Sequence, residues 1–240
     1  MKKVLQKTIL TLLIGNCIYS QDIKLGFKTG IGIYSMSGLK IINNAVPLTL
    51  PFDTKLVSNF PPYFYYQPAF LIRFANYSLG LVYSFQSTGS RISGNDYSGE
   101  YRFDMKVNSN NPGIYGEISI ISRPKFQISL YSSFGVAFSN LKMNEYLNIQ
   151  DSVLMNETYK FKALNYYFEP GINTTYTITS LLSVGINAGY FIQFGDQAFH
   201  LDGNKENKLI DPNNRKPVKP DWKGFRLGLS FFYNIYSKGK

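Results

Sequence analysis

WKGFRLGLSFFYNI, from Trp222 to Ile235, is the stretch whose reading decides the fold. From Phe225 it alternates without a break. Phe225, Leu227, Leu229, Phe231 and Tyr233 fall on one face, and Arg226, Gly228, Ser230 and Asn234 on the other. Phe232 is the one large apolar side chain on the polar face. A period of two describes a strand with unlike surroundings on its two sides. One side here is wide and aromatic, the other small or polar. That contrast suits a closed barrel whose outer face meets hydrocarbon and whose inner face lines a cramped polar lumen.

The same alternation recurs upstream. It predicts strands over 23–34, 63–74, 77–86, 114–121, 126–139, 162–176 and 181–192, eight with the last, 222–235. A second alternating run, Tyr101 to Val107, would extend the fourth strand backwards. The connections alternate long and short. Tight turns are expected at Ala75-Asn76, Arg123-Pro124-Lys125 and Thr177 to Ser180, and long links at 35–62, 87–111, 140–160 and 193–221, the second of them polar. An even strand number with alternating short turns and long loops is the pattern of an antiparallel up-and-down transmembrane barrel, its turns periplasmic and its four long loops external. Aromatics gather at the strand ends: Phe74, Tyr77, Phe126, Tyr176 and Tyr233 at one, Phe64, Phe85, Phe138, Tyr166 and Trp222 at the other. Two interfacial girdles are the expectation.

Periodicity alone fits a soluble eight-stranded barrel of lipocalin type equally well. Residue size argues against it. The polar face is glycine, serine and alanine with few charges, a poor soluble exterior, and the aromatic face would overfill the inside of eight strands.

The order Arg226, Gly228, then Phe231 and Tyr233 near the C-terminus resembles the assembly signal of bacterial outer-membrane β-barrels. Seven residues follow Tyr233, more than many such proteins carry. The whole chain is similar in pattern to small outer-membrane barrels of the Bacteroidetes type, the family that includes PorT-like proteins. That resemblance implies residence in the cell outer membrane. It also implies contact with outer-membrane lipids and lipopolysaccharide, and insertion by the barrel assembly machinery through the C-terminal strand.

The chain has 240 residues, 17% charged, with 19 Tyr, 19 Phe and 20 Gly. One barrel domain, 21–240, fits that length. Residues 1–20 read as a secretory signal peptide: Lys2 and Lys3, an apolar run from Ile9 to Ile14, then Gly15 to Ser20. Lipidation at Cys17, the sole cysteine, is disfavoured by the bulk of Asn16 before it. With one cysteine there is no intrachain disulfide. The net charge of +10 forms no basic module interleaved with aromatics, which argues against nucleic acid and for anionic headgroups.

Lys24, Lys28, Arg73, Glu117, Glu169 and Arg226 fall on the inner face. Unpaired charges in a narrow lumen are costly, so these should pair across the barrel, with Lys28 and Glu117 in one network. Tyr65, Tyr115, Tyr131, Tyr167 and Phe191 should fill what remains. His200, the sole histidine, lies in a charged link between Asp196 and Asp202 with no nucleophile motif near it, and reads as a solvated loop residue. Asp202, Asn204 and Glu206 mimic the front of a calcium loop but lack its glycine and distant glutamate. No catalytic residue, cofactor or metal is therefore expected. The first long link is apolar at Ile41, Ile42, Val46, Leu48, Leu50 and Phe52, either a contact surface for a partner or ligand, or a segment folded over the barrel mouth. The expected role is structural or binding, carried by the external loops without a substantial pore. Alternatives are a lipid-modifying enzyme of the outer membrane, which would need His200, and a small-solute transport barrel.

Overall fold

The structure, a computed structural model, describes residues 21–46, 54–97, 99–150 and 152–236. Eight long antiparallel strands close into a ring: β1 (Gln21–Tyr34), β3 (Tyr63–Phe74), β4 (Tyr77–Asp96), β5 (Gly99–Ser122), β6 (Phe126–Ile149), β7 (Ser152–Thr177), β8 (Leu182–Phe194) and β11 (Gly224–Tyr236). β11 pairs with β8 on one side and with β1 on the other, from Ile23 opposite Tyr236 to Tyr34 opposite Gly224. The ring therefore has no free edge. The turns at 75–76, 123–125 and 178–181 lie at the end where β1 begins and β11 finishes.

Burial settles which face points inward. In β11, Leu227 is 62% exposed and its neighbour Arg226 1%. The apolar face is the exterior all round the ring, with Phe27, Phe70, Leu81, Ile114, Phe134 and Ile186 among its exposed members. A lipocalin-like barrel would show the reverse. Phe232, the apolar intruder, turns inward against Leu71, Val82, Tyr115 and Tyr131.

Two of the expected long loops are not loops. β4 to β7 run 20, 24, 24 and 26 residues, whereas β1, β3, β8 and β11 run 14, 12, 13 and 13. At about 3.3 Å per residue the longer strands reach roughly 66–86 Å against roughly 40–46 Å. One wall of the barrel thus rises far above the other. The spans 87–111 and 140–160 form hairpin arms, and Tyr101 to Val107 does extend the fourth barrel strand. They look like loops because their outer residues, Arg102, Lys106 and Lys142, are polar. Above the apolar belt the sense of the alternation inverts, and Tyr101, Phe103, Met105, Val107, Leu141 and Met143 are buried on the inner face.

The arms would expose the upper edges of β4 and β7, and unpaired edges invite aggregation. The two genuine long links cover the lower part of each, over Ser90–Ser93 of β4 and 160–162 of β7. β2 (Lys55–Asn59), in the first, pairs with β4; β9 (His200–Leu201), in the last, pairs with β7 and carries β10 (Asn204–Lys208). The first link also forms a helix, α1 (Ser37–Ala45), where only an apolar connection was expected. Leu39, Ile42 and Asn43 share one helical face, and all three are buried. Leu39 and Ile42 join Met36, Phe60, Phe199, Val218 and Trp222 over the apolar face of the arms. This cap has its own core, in which each fully buried side chain contributes about 1.5–3 kcal/mol. The described part of the first link therefore folds over the barrel mouth. The signal-like segment 1–20 with Cys17, and Leu48, Leu50 and Phe52 of the apolar link, lie outside the described residues.

Trp222 does not join an outer girdle. It is fully buried, edge-on to Tyr34 at 5.0 Å, and its Nε1 donates to Ser139 Oγ at 3.0 Å. An aromatic at a strand end reads as a girdle residue, but Trp222 precedes β11 and falls on the inner side. Phe74 and Tyr77 do stack on the outer surface near the short turns, 5.2 Å apart.

Candidate functional site

The lumen is built from the inward half of each alternating strand. Arg226 of β11 and Glu169 of β7 are both wholly buried and pair at 2.8 Å. The guanidinium also donates to Ser84 Oγ at 3.2 Å and to Gln86 Oε1, and lies 4.3 Å from the Phe191 ring and 4.8 Å from that of Tyr65. One turn-ward layer down, Lys28 Nζ sits 3.3 Å from the centre of the Tyr131 ring and donates to Tyr115 Oη at 3.1 Å. Tyr115 donates to Glu117 at 2.6 Å, and Tyr131 to Glu169 at 3.2 Å. Lys28 and Glu117 therefore belong to one network, as expected, but a tyrosine hydroxyl joins them in place of a direct ion pair. Lys24, Arg73 and Glu117 line a hollow of about 160 Å³ at the short-turn end.

Glycines make room for these rings. A Cβ on Gly171 or Gly189, which face each other across β7 and β8, would run into Tyr131. Gly113 and Gly135, paired across β5 and β6, lie in the same way beneath Tyr167. Gly228 leaves space for the Tyr65 hydroxyl, which donates to Asn187 at 2.7 Å. Tyr167 then stacks on Phe191 at 5.0 Å. Tyr65, Tyr167 and Phe191 have no solvent exposure, so the lumen is filled at their level.

The open space lies in the cap. A cleft of about 460 Å³ runs between the start of α1, the tops of β7 and β8, and the last link. Two buried amides reach its wall. Gln193 accepts from the Trp222 backbone N–H at 3.1 Å, and Asn165 donates to Gln197 O at 3.1 Å. Gln193 Nε2 and Asn165 Oδ1, both buried, have no protein partner. Lys219 pairs with Asp196 at 2.9 Å on the rim, and Ser37 Oγ donates to Asp221 at 2.7 Å. The Lys219 ammonium holds the Asp196 carboxyl below its ordinary range. The chemistry on offer is a donor, an acceptor and charges of both signs, suited to a polar ligand.

His200 lies in β9, opposite Lys162 of β7 and Lys208 of β10, in none of these places. Asp202 pairs with Lys162 at 2.8 Å, which lowers its carboxyl, and Asn204 caps the Glu206 backbone N–H at 3.0 Å. The calcium-like triplet is thus a salt-bridged turn. Among the described residues no group of three His, Cys, Asp or Glu is placed to hold a metal. The cleft could not be found from sequence, since Asn165, Gln193 and Asp221 meet only through the closure of the ring and the return of the last link.

No family model matches the chain, and no curated protein matches its sequence. Solved structures do match. A major outer membrane protein of Thermus thermophilus is 12% identical, with a TM-score of 0.50 over 89% of this chain and 99% of that one. Ail, the attachment invasion locus protein of Yersinia pestis, is 11% identical, with a TM-score of 0.40 over 89% and 98%. The outer membrane protease OmpT of Escherichia coli is 12% identical, with a TM-score of 0.39 over 90% and 96%. At 12% identity the likeness to the Thermus protein is one of fold alone: this chain has the fold of an outer-membrane β-barrel.

Proposed function

We propose that this protein resides in the cell outer membrane, exported by its N-terminal signal, and binds a polar ligand or partner through its cap rather than conducting solute. The exterior belt would lie in lipid, the short turns in the periplasm and the arms outside. The observation that carries this reading is the contrast between a lumen filled by the Arg226–Glu169 pair and its tyrosine layers and a cap holding an open polar cleft. PorT-like kinship, and insertion by the assembly machinery through β11, rest on the resemblance of Arg226, Gly228, Phe231 and Tyr233 to the assembly signal. Lipid-modifying chemistry has less support, because His200 sits in β9, paired through its backbone with Lys162 and Lys208, away from the cleft. Small-solute transport has less still, because the path would cross the Arg226 layer. The test is electrical. Purified protein in planar bilayers should show no steady conductance, and a stable, large channel from the intact protein would move the function into the lumen.

A further inference from the structure

Strand register brings together residues that the sequence scatters. On the outer face of the tall wall, the top row of the apolar belt is Phe85, Asn110, Phe138 and Leu164, each opposite the next. Two residues higher the row is Ser87, Asn108, Asn140 and Lys162, with Asn140 donating to Asn108 at 3.3 Å. The next row is Gly89, Lys106, Lys142 and Lys160. Three lysines thus stand directly opposite one another on β5, β6 and β7, all exposed. Like charges directly opposite across a sheet oppose folding. The rows on either side neutralise theirs: Arg91 pairs with Asp104 at 2.6 Å above, and Lys162 with Asp202 at 2.8 Å below. Lys106 and Lys142 have no ion-pair partner among the described residues. The three side chains, with Asn108, Asn140 and the Lys162–Asp202 pair, frame a hollow of about 270 Å³, in which four lysines face one carboxylate that Lys162 already holds.

We infer that the Lys106–Lys142–Lys160 row binds the phosphate groups of a phosphorylated lipid headgroup in the surrounding leaflet. The inference rests on the reading of the apolar belt as the lipid-facing surface. The position favours a lipid over a soluble anion. The row stands four residues, roughly 13 Å along a tilted strand, above the last apolar row, and flexible lysine stems reach back toward the belt. Headgroups occupy that height, and the acyl chains would continue down onto Phe138 and Leu164. A phosphate between opposed ammonium groups turns their repulsion into shared attraction.

The experiment uses the full chain folded into phosphatidylcholine vesicles doped with bisphosphorylated lipid A, and reads retained lipid after extraction by native mass spectrometry. Wild type should retain lipid A and not its dephosphorylated form. The triple variant K106Q/K142Q/K160Q should bind about fivefold less per lysine, roughly a hundredfold in all. A control, K55Q/K205Q/K208Q, removes three exposed lysines elsewhere in the cap and should retain it. In neutral detergent the row variant should unfold no earlier than wild type, because its opposed charges are gone. Retention by the row variant equal to wild type overturns the assignment. So does competition by inorganic phosphate or soluble heparin at equal phosphate or sulfate concentration, which would make the row a site for free anions. Failure of the wild type to enter neutral vesicles at all would instead refute the membrane reading beneath it.

Discussion

Replacing Arg226 by methionine tests whether the lumen is dry. Arg226 and Glu169 are both wholly buried, and the guanidinium gives Glu169 its charge partner. In Arg226→Met the carboxylate would keep only the Tyr131 hydroxyl at 3.2 Å, while Ser84 and Gln86 would lose their shared donor. Removing one member of a buried pair costs about 3–5 kcal/mol, since the remaining charge is left uncompensated in low dielectric. The double variant Arg226→Met with Glu169→Gln removes both charges and should recover most of that loss. Met and Gln are close enough in volume to the residues they replace that the stack over Tyr65 and Phe191 need not collapse. The assay is reversible denaturant unfolding of the barrel in bilayers, followed by heat-modifiable migration on gels. A single variant within about 0.5 kcal/mol of wild type would mean that water reaches Glu169. The picture of a filled lumen, and the conductance argument with it, would then fail.

Other outcomes follow from the same geometry. Phe231→Asp puts a charge on the outer face, opposite Phe27 and Val184, and should cost about 1–3 kcal/mol, between the mid-plane and interface values; normal folded yields in membranes would contradict the orientation of β11. Gly189→Val should push Tyr131 off its floor and cost about 1–3 kcal/mol, much of it restored by Tyr131→Val in the same chain. If the two changes simply add, the ring does not lean on that glycine. Asp196 and Asp202 have carboxyls lowered by Lys219 and Lys162, so their contribution is present above the ordinary value of 3.8 and lost as pH falls through the lower folded value. Hydrogen exchange in the last link should therefore rise only in strong acid. The rise should be small, because both pairs are exposed, and a step near neutral pH would contradict it.

The barrel itself was legible because every ring strand repeats one contrast, large apolar residues against small or polar ones. Residues 63–74 are predicted and observed as the same strand. The inner charges were legible for the same reason, as was the filling of the lumen by Tyr65 and Tyr167. What the sequence hides is anything that depends on register or on leaving the belt. The arms alternate over 101–107 and 141–143, but with outward polar residues such as Arg102 and Lys106, while 152–160 is exposed on both faces, and so they resemble loops. The pairing of Gly171 with Gly189 beneath Tyr131 joins residues on β6, β7 and β8 that no local pattern relates. The lysine row is invisible until β5, β6 and β7 are aligned. Helix α1 carries a short signal, Leu39 and Ile42 three residues apart, too brief to separate from an apolar link.

The unequal heights of the two walls also bear on the order in which the chain folds. β5, β6 and β7 are separated by only two or three residues of sequence and pair along nearly their whole length, so each hairpin closes only a small loop and forms at low entropic cost. The seam between β1 and β11 joins opposite ends of the chain, and contacts so distant in sequence are slow to form. The tall wall is thus a local scaffold that can exist before the ring does, while the short strands wait on both flanks. On that ground closure of the seam is expected to come last, and with it the approach of Lys28 on β1 to Tyr115 and Tyr131. A chain stalled before that point would carry an ordered arm sheet with an open barrel edge at β11.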